Sequence, residues 1–155
     1  MRLNILVFAG LSLALLSCTK SFDEKIADKI EEQCSDAKQT PSCQFALDEI
    51  TDFDWDTLYV FNGLMTREEL SQALGFDCDC DHISDNYQRL IFTKNRKAVY
   101  QSEYYGVDGK VQFRPIEVNA DPKFSREQST FLVVKKANTL TSGYFYDLYP
   151  ISRVN

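Results

Sequence analysis

The strongest constraint on the fold is a series of short segments rich in aromatic and β-branched residues, many with strand-like alternation, parted by turn residues. Residues 58–61, 89–93, 98–105, 111–118, 130–135 and 144–149 all read as strands in this way. Eleven Phe, eight Tyr and one Trp supply much of that pattern, an aromatic load suited to sheet packing. Asn62-Gly63 ends the first strand. Lys94-Asn95-Arg96-Lys97 and Asp108-Gly109-Lys110 fall where a meander of strands needs its turns. Residues 44–50 fit a strand or a helix equally well. Residues 119–128 read as a loop with one helical turn from Ser125.

Two helices are marked by their starts. Ser21 and Glu24 have capping-box spacing, and Phe22, Ile26 and Ile30 then recur every four residues, forming one apolar stripe on a helix that runs to about Cys34. Thr66 and Glu69 form a second capping box, followed by a short helix closing at Gly75, where a glycine can take the left-handed C′ conformation. Residues 35–42, with Pro41, read as a loop. The expectation is therefore α+β: an antiparallel sheet of five to seven strands with an N-terminal helix and one short capped helix packed on it. No internal repeat, low-complexity tract or second domain is visible.

The first residues carry an address. Arg2 is a positive start, and residues 3–16 are an apolar stretch too short to span a bilayer as a helix. Leu15-Leu16-Ser17-Cys18 then resembles the lipobox of bacterial lipoproteins. The resemblance implies a signal peptide over residues 1–17, lipidation of Cys18, a short tether over residues 18–21 and a single α+β domain over residues 22–155. A plain secretory signal with an incidental cysteine is the alternative. Lipid alone anchors such a chain, because each buried methylene contributes about 0.8 kcal/mol and two or three acyl chains make release slow. Thr19, where an aspartate would signal inner-membrane retention, favours the outer membrane facing the periplasm. The cell surface is the second option.

The segment Thr66-Arg67-Glu68-Glu69-Leu70-Ser71-Gln72-Ala73-Leu74-Gly75 resembles the helix-to-glycine motif of the BamE/SmpA-like envelope lipoproteins. In that family the motif precedes aromatic strands and an Asp-Gly turn, as Asp108-Gly109 does here. The likeness implies an accessory role in an envelope complex, although the family carries fewer strands. Phe53-Asp54-Trp55-Asp56-Thr57-Leu58-Tyr59-Val60-Phe61 is also similar to a stretch of uncharacterised exported bacterial proteins, which implies no function.

The formal charge of -6 argues against nucleic acid as a partner and against electrostatic adhesion to anionic lipid. Once Cys18 is lipidated, Cys34, Cys43, Cys78 and Cys80 form an even set in an oxidising compartment, so two disulfides are expected. Spacing leaves three pairings open. Pairing Cys34 with Cys43 and Cys78 with Cys80 is preferred, although the second closes a tight ring. A bridge from the first helix to the Cys78 loop would avoid that ring.

Asp77-Cys78-Asp79-Cys80-Asp81-His82 is the most unusual run in the chain. On an extended segment Cys78, Cys80 and His82 share one face, which would suit a soft metal ion or a thiol-redox site. Against that, the cysteines are one residue apart rather than two or more, and oxidation consumes the thiolates. Asp52, Asp54 and Asp56 form a second acidic run. Neither run is an EF-hand: the loop's sixth and twelfth positions hold Thr57 and Gly63 in one, His82 and Gln88 in the other. There is no nucleophile elbow, no zinc-protease histidine pair and no phosphate-cradling glycine loop. Trp55, Tyr59, Tyr100, Tyr104, Tyr105, Tyr144, Tyr146 and Tyr149 could include a binding face. Tyr104 and Tyr105 are neighbours and so must point to opposite faces.

The sequence thus points to a lipid-anchored, non-catalytic envelope protein that binds another protein, either as an accessory subunit or as an immunity-type inhibitor of a toxin. No cofactor is expected. Asp52, Asp54, Asp56, Asp77, Asp79 and Asp81 are the candidate partner-facing residues. A metal-binding or thiol-redox lipoprotein using Cys78, Cys80 and His82 is the competing class.

Overall fold

In the computed structural model, residues 20–34, 43–106, 109–114, 123–139 and 143–151 are described. The fold is built from hairpins. Asn95 and Arg96 both sit in the left-handed region, φ 51° and 60°, as a two-residue hairpin turn of the favoured hand requires. They join β3 (Tyr87–Lys94) to β4 (Lys97–Tyr105). β2 (Thr57–Asn62) lies on the other side of β3, with Leu58 opposite Phe92 and Val60 opposite Leu90. β6 (Lys123–Ser125) completes an antiparallel sheet ordered β4-β3-β2-β6.

A second sheet is ordered β1-β7-β8-β5. It comprises β1 (Gln44–Ala46), β5 (Val111–Phe113), β7 (Thr130–Ala137) and β8 (Tyr144–Pro150). The fold is α+β as expected, but the described residues form eight strands in two sheets rather than five to seven in one. Alternation fixes which side chains face inward, not which sheet they join. The meander is β2-β3-β4, and β5 does not continue it. Instead β5 crosses to the second sheet and pairs with β8 in parallel, Val111 opposite Tyr146. The crossing is sharp: the Gly109 N–H donates to the Tyr105 carbonyl at 2.7 Å. Any side chain at Gly109 would meet that oxygen at 2.8 Å and the Tyr104 ring at 2.9 Å, so glycine is required there. Of the strand expected at residues 111–118, residues 115–118 lie outside the described residues, as do Asp108, residues 35–42 and Cys18.

The first helix, α1 (Phe22–Cys34), buries Phe22, Ile26, Ala27 and Ile30 against both sheets. Glu24 accepts from the Ser21 N–H at 2.9 Å, half of the expected capping box. The Ser21 hydroxyl goes to Asp23 instead. Asp23 is itself buried and accepts from the Lys110 N–H at 3.1 Å, which pins the first turn to the start of β5. Residues 44–50 are both things at once: β1, then a 3-10 turn over Leu47–Glu49. The single turn from Ser125 is present as Arg126–Gln128, capped by Ser125 and Gln128.

The second helix, α2 (Arg67–Leu74), has its full capping box at Thr66 and Glu69 and ends at Gly75 with φ 75°. It covers the face of the β4-β3-β2-β6 sheet that α1 does not. Leu70 and Leu74 pack there with Phe61, Ile83, Ile91, Cys78 and Cys80. β3 is therefore covered on both faces and is buried without a break from Gln88 to Thr93.

Candidate binding surfaces

Asp52, Asp54 and Asp56 are exposed, while Trp55 between them is 2 % exposed and Phe53 half-buried. Trp55 packs edge-on to Phe92 at 5.1 Å and donates through Nε1 to Thr51 Oγ1 at 3.0 Å. Phe53 stacks on Tyr100 at 4.7 Å. The carboxylates are answered locally. Asp54 pairs with Lys94 and, at 3.5 Å, with Arg126. Asp56 accepts from the Asn95 N–H at 2.9 Å, holding the hairpin turn.

In the second run, Asp77, Asp79 and Asp81 are exposed and the cysteines between them buried. Arg67 at the start of α2 reaches Asp77 and Asp79, each at 3.1 Å. Asp77 also accepts from the Asp79 N–H at 3.1 Å. That bond, followed by the Arg67 guanidinium, holds the Asp77 carboxyl below the usual carboxylate range. Asp79 takes φ 49°, and Cys78 is bonded to Cys80 with Cα atoms 5.2 Å apart. Cys34 and Cys43 form the other pair, Cα atoms 5.9 Å apart, so the preferred local pairing is the one present.

The left-handed turn at Asp79 breaks the extended run, so His82 does not join the cysteines on one face. Its side chain is exposed and its carbonyl accepts from Arg89 at 3.2 Å. Arg89, buried in β3, also binds the Asp81 carbonyl and Glu103 and so ties the loop to the sheet. Among the described residues no group of three or more His, Cys, Asp or Glu side chains is placed to hold a metal ion.

Both acidic loops abut the β3–β4 turn. Asp54 and Asp56 contact its Lys94 and Asn95, and Arg96 donates to the Gly75 carbonyl at 2.8 Å, two residues before Asp77. The six aspartates therefore belong to a mixed-charge surface, interleaved with Arg67, Lys94 and Arg126, rather than a purely acidic patch.

The aromatic residues do not make one face. Trp55, Tyr104 and Tyr146 are core, Tyr59, Tyr100 and Tyr149 are half-buried, and Tyr105 and Tyr144 are exposed at 38 % and 60 %. The split between Tyr104 and Tyr105 is the one expected of strand neighbours. Tyr146 donates to Glu31 at 3.2 Å, and burial followed by that carboxylate pushes its phenol up to about 12.

A third surface went unseen in the sequence. Where the two sheets meet, a cleft of about 650 Å³ opens between the ends of β2 and β7, the starts of β3 and β8, and residues 112–114 at the end of β5. Its floor is Gln88, whose carboxamide acts as a substitute strand for β5. Its Oε1 accepts from the Phe113 N–H at 3.0 Å and the Tyr104 hydroxyl at 2.5 Å. Its Nε2 donates to the Phe113 carbonyl at 3.2 Å and to Asn62. Burial raises the Tyr104 phenol well above its ordinary value, helped by the charge of Asp23. The missed signals were single polar residues inside strands: Gln88 beside Arg89, and Asp147 amid Tyr-Phe-Tyr-Asp-Leu-Tyr.

No family model, curated protein or solved structure matches the chain.

Proposed function

We propose that the protein is a lipid-anchored, non-catalytic envelope protein that binds another protein, as an accessory subunit or an immunity-type inhibitor, from the outer membrane facing the periplasm. The observation that carries this reading is the junction of lipobox and fold. Leu15-Leu16-Ser17-Cys18 stands immediately before a helix whose first residue, Phe22, is already in the core, leaving a tether of a few residues. Acyl chains on Cys18 would hold the domain against its membrane with no spanning segment. Among the described residues no helix is long and apolar enough to cross a bilayer.

The partner-facing surface in this reading is the mixed-charge end where the two aspartate loops meet the β3–β4 turn. Interleaved charges with geometrically fixed partners favour specificity and steering more than raw affinity. Cys18→Ala should move the protein from the membrane to the soluble fraction; continued membrane retention would refute the anchor. A photocrosslinking residue at position 52 or 81 should give one discrete adduct in cells that Asp54→Lys together with Asp79→Lys abolishes. The metal or thiol-redox reading at Cys78, Cys80 and His82 predicts instead alkylation without reductant and stoichiometric bound metal.

A further inference from the structure

Two arginines use the same guanidinium in opposite ways. Arg89 is 9 % exposed in its side chain and is spent on Glu103 and the carbonyls of Asp81 and His82. Arg114 is 41 % exposed, and its one side-chain partner among the described residues is Asp147, reached through Nε at 2.7 Å. Asp147 lies inside β8 and is 4 % exposed, its other oxygen accepting from the Tyr149 hydroxyl at 3.4 Å. A carboxylate buried in a strand is costly unless paired, and what this one does is hold Arg114 by its Nε edge. Among the described residues the Nη1–Nη2 end of the fork meets no partner, and Arg114 lines the cleft above Gln88.

The rest of the wall is rich in carboxamides. Asn62, Asn86 and Gln112 line it, and each is anchored through one end of its amide: Asn62 through its oxygen by Gln88, Asn86 through its nitrogen to Asp85, Gln112 through its nitrogen to the Gly106 carbonyl. Among the described residues one end of each has no partner and can take a donor or acceptor, the complement of a peptide group. Asp85, the carboxylate in the lining, is engaged by the Asn86 N–H at 2.9 Å and by its side-chain amide at 3.2 Å. Arg114 is the one cation among the described lining residues.

We propose that this cleft binds a short peptide ending in a free carboxylate. The carboxylate is taken end-on by Nη1 and Nη2 of Arg114, and the preceding peptide groups by the carboxamides of Asn62, Asn86 and Gln112. Asp147 is a positioning residue that acts through Arg114. The site is separate from the aspartate loops and does not rest on the partner-binding reading, so its failure would leave that reading standing.

The test is a titration of the ¹⁵N-labelled mature protein with N-acetyl-triglycine as free acid and as terminal amide, followed by amide chemical shifts. The free acid should shift the backbone signals of Gly63, Asn86 and Gly106, and the terminal amide should bind at least tenfold more weakly. Arg114→Gln should lose about ten- to a hundredfold in affinity for the free acid, the range for a charge-assisted pair. Arg114→Lys should fall between, because a lysine keeps the charge and loses the fork. Equal response to acid and amide in the native protein overturns the proposal whether or not Arg114→Gln folds. So does an Arg114→Gln protein that binds the acid like the native one, or no shift at the cleft.

Discussion

The two aspartate runs are nearly the same sequence idea and fold by different means. In both, three exposed carboxylates alternate with two inward residues. Between residues 52 and 56 the inward residues are Phe53 and Trp55, which enter the main core beside Phe92, so the loop is held by a large apolar wedge. Between residues 77 and 81 they are Cys78 and Cys80, bonded to each other and seated in the smaller cluster under α2. That loop depends on a covalent ring, a left-handed Asp79 and the Arg89 bonds to its carbonyls. Period-two polarity says only that a segment has an inside. What sits inside decides whether the loop is part of the core or laced onto it.

The comparison can be broken most forcefully at the wedge. Trp55→Ala should destabilise by about 3–5 kcal/mol, the usual range for emptying a large aromatic site, measured as a shift in the urea midpoint at unchanged slope. A loss comparable to that of a surface substitution would mean the first loop is laced on like the second. Next in size come the disulfides. Replacing Cys78 and Cys80 together by serine should cost roughly 1.5 kcal/mol, and replacing Cys34 and Cys43 roughly 2.5 kcal/mol, since the longer loop gains more from closure. The reverse order would show that the ring at Cys78 supports α2 through packing rather than through chain entropy.

The smallest effect should be Arg67→Gln. The pair is fully solvated, so thermal stability should barely change, while the Asp77 carboxyl rises towards its ordinary range in a carbon-detected titration. The sign is fixed by the depressed carboxyl. Its contribution to stability is present above the ordinary aspartate range and is lost as pH falls through the lower native value. If Asp77 stays depressed without Arg67, the Asp79 N–H alone accounts for the shift.

Much of the scaffold was legible because its signals are local. The Thr66–Glu69 box, Gly75, the Asn95-Arg96 turn and the Phe22–Ile26–Ile30 stripe each involve residues within a few positions of one another, and each is present. The aspartate runs were legible as exposed for the same reason. What could not be read was non-local. The assignment of β5 to the second sheet depends on its parallel pairing with the distant β8, and the mixed charge of the acidic end depends on Arg67, Lys94 and Arg126 arriving from elsewhere in the chain. The cleft is further still from the sequence, because its walls come from five strands in two sheets.

The Gln88 carboxamide has a consequence for how the chain reaches this state. β3 and β4 are joined by a two-residue turn and can zip together early, and β2 joins them across the segment that carries α2. At that stage Gln88 has Tyr104 and Asn62 as partners, and its remaining N–H and lone pair still face water. Its hydrogen bonds are complete only when Phe113 of β5 supplies an N–H and a carbonyl, and β5 can do so only after the chain has crossed at Gly109. A meander that collapsed against the wrong strand would leave one N–H and one lone pair of that amide unmet, at about 1–3 kcal/mol. One glutamine thus biases the docking of the two sheets towards the strand that completes its hydrogen bonds.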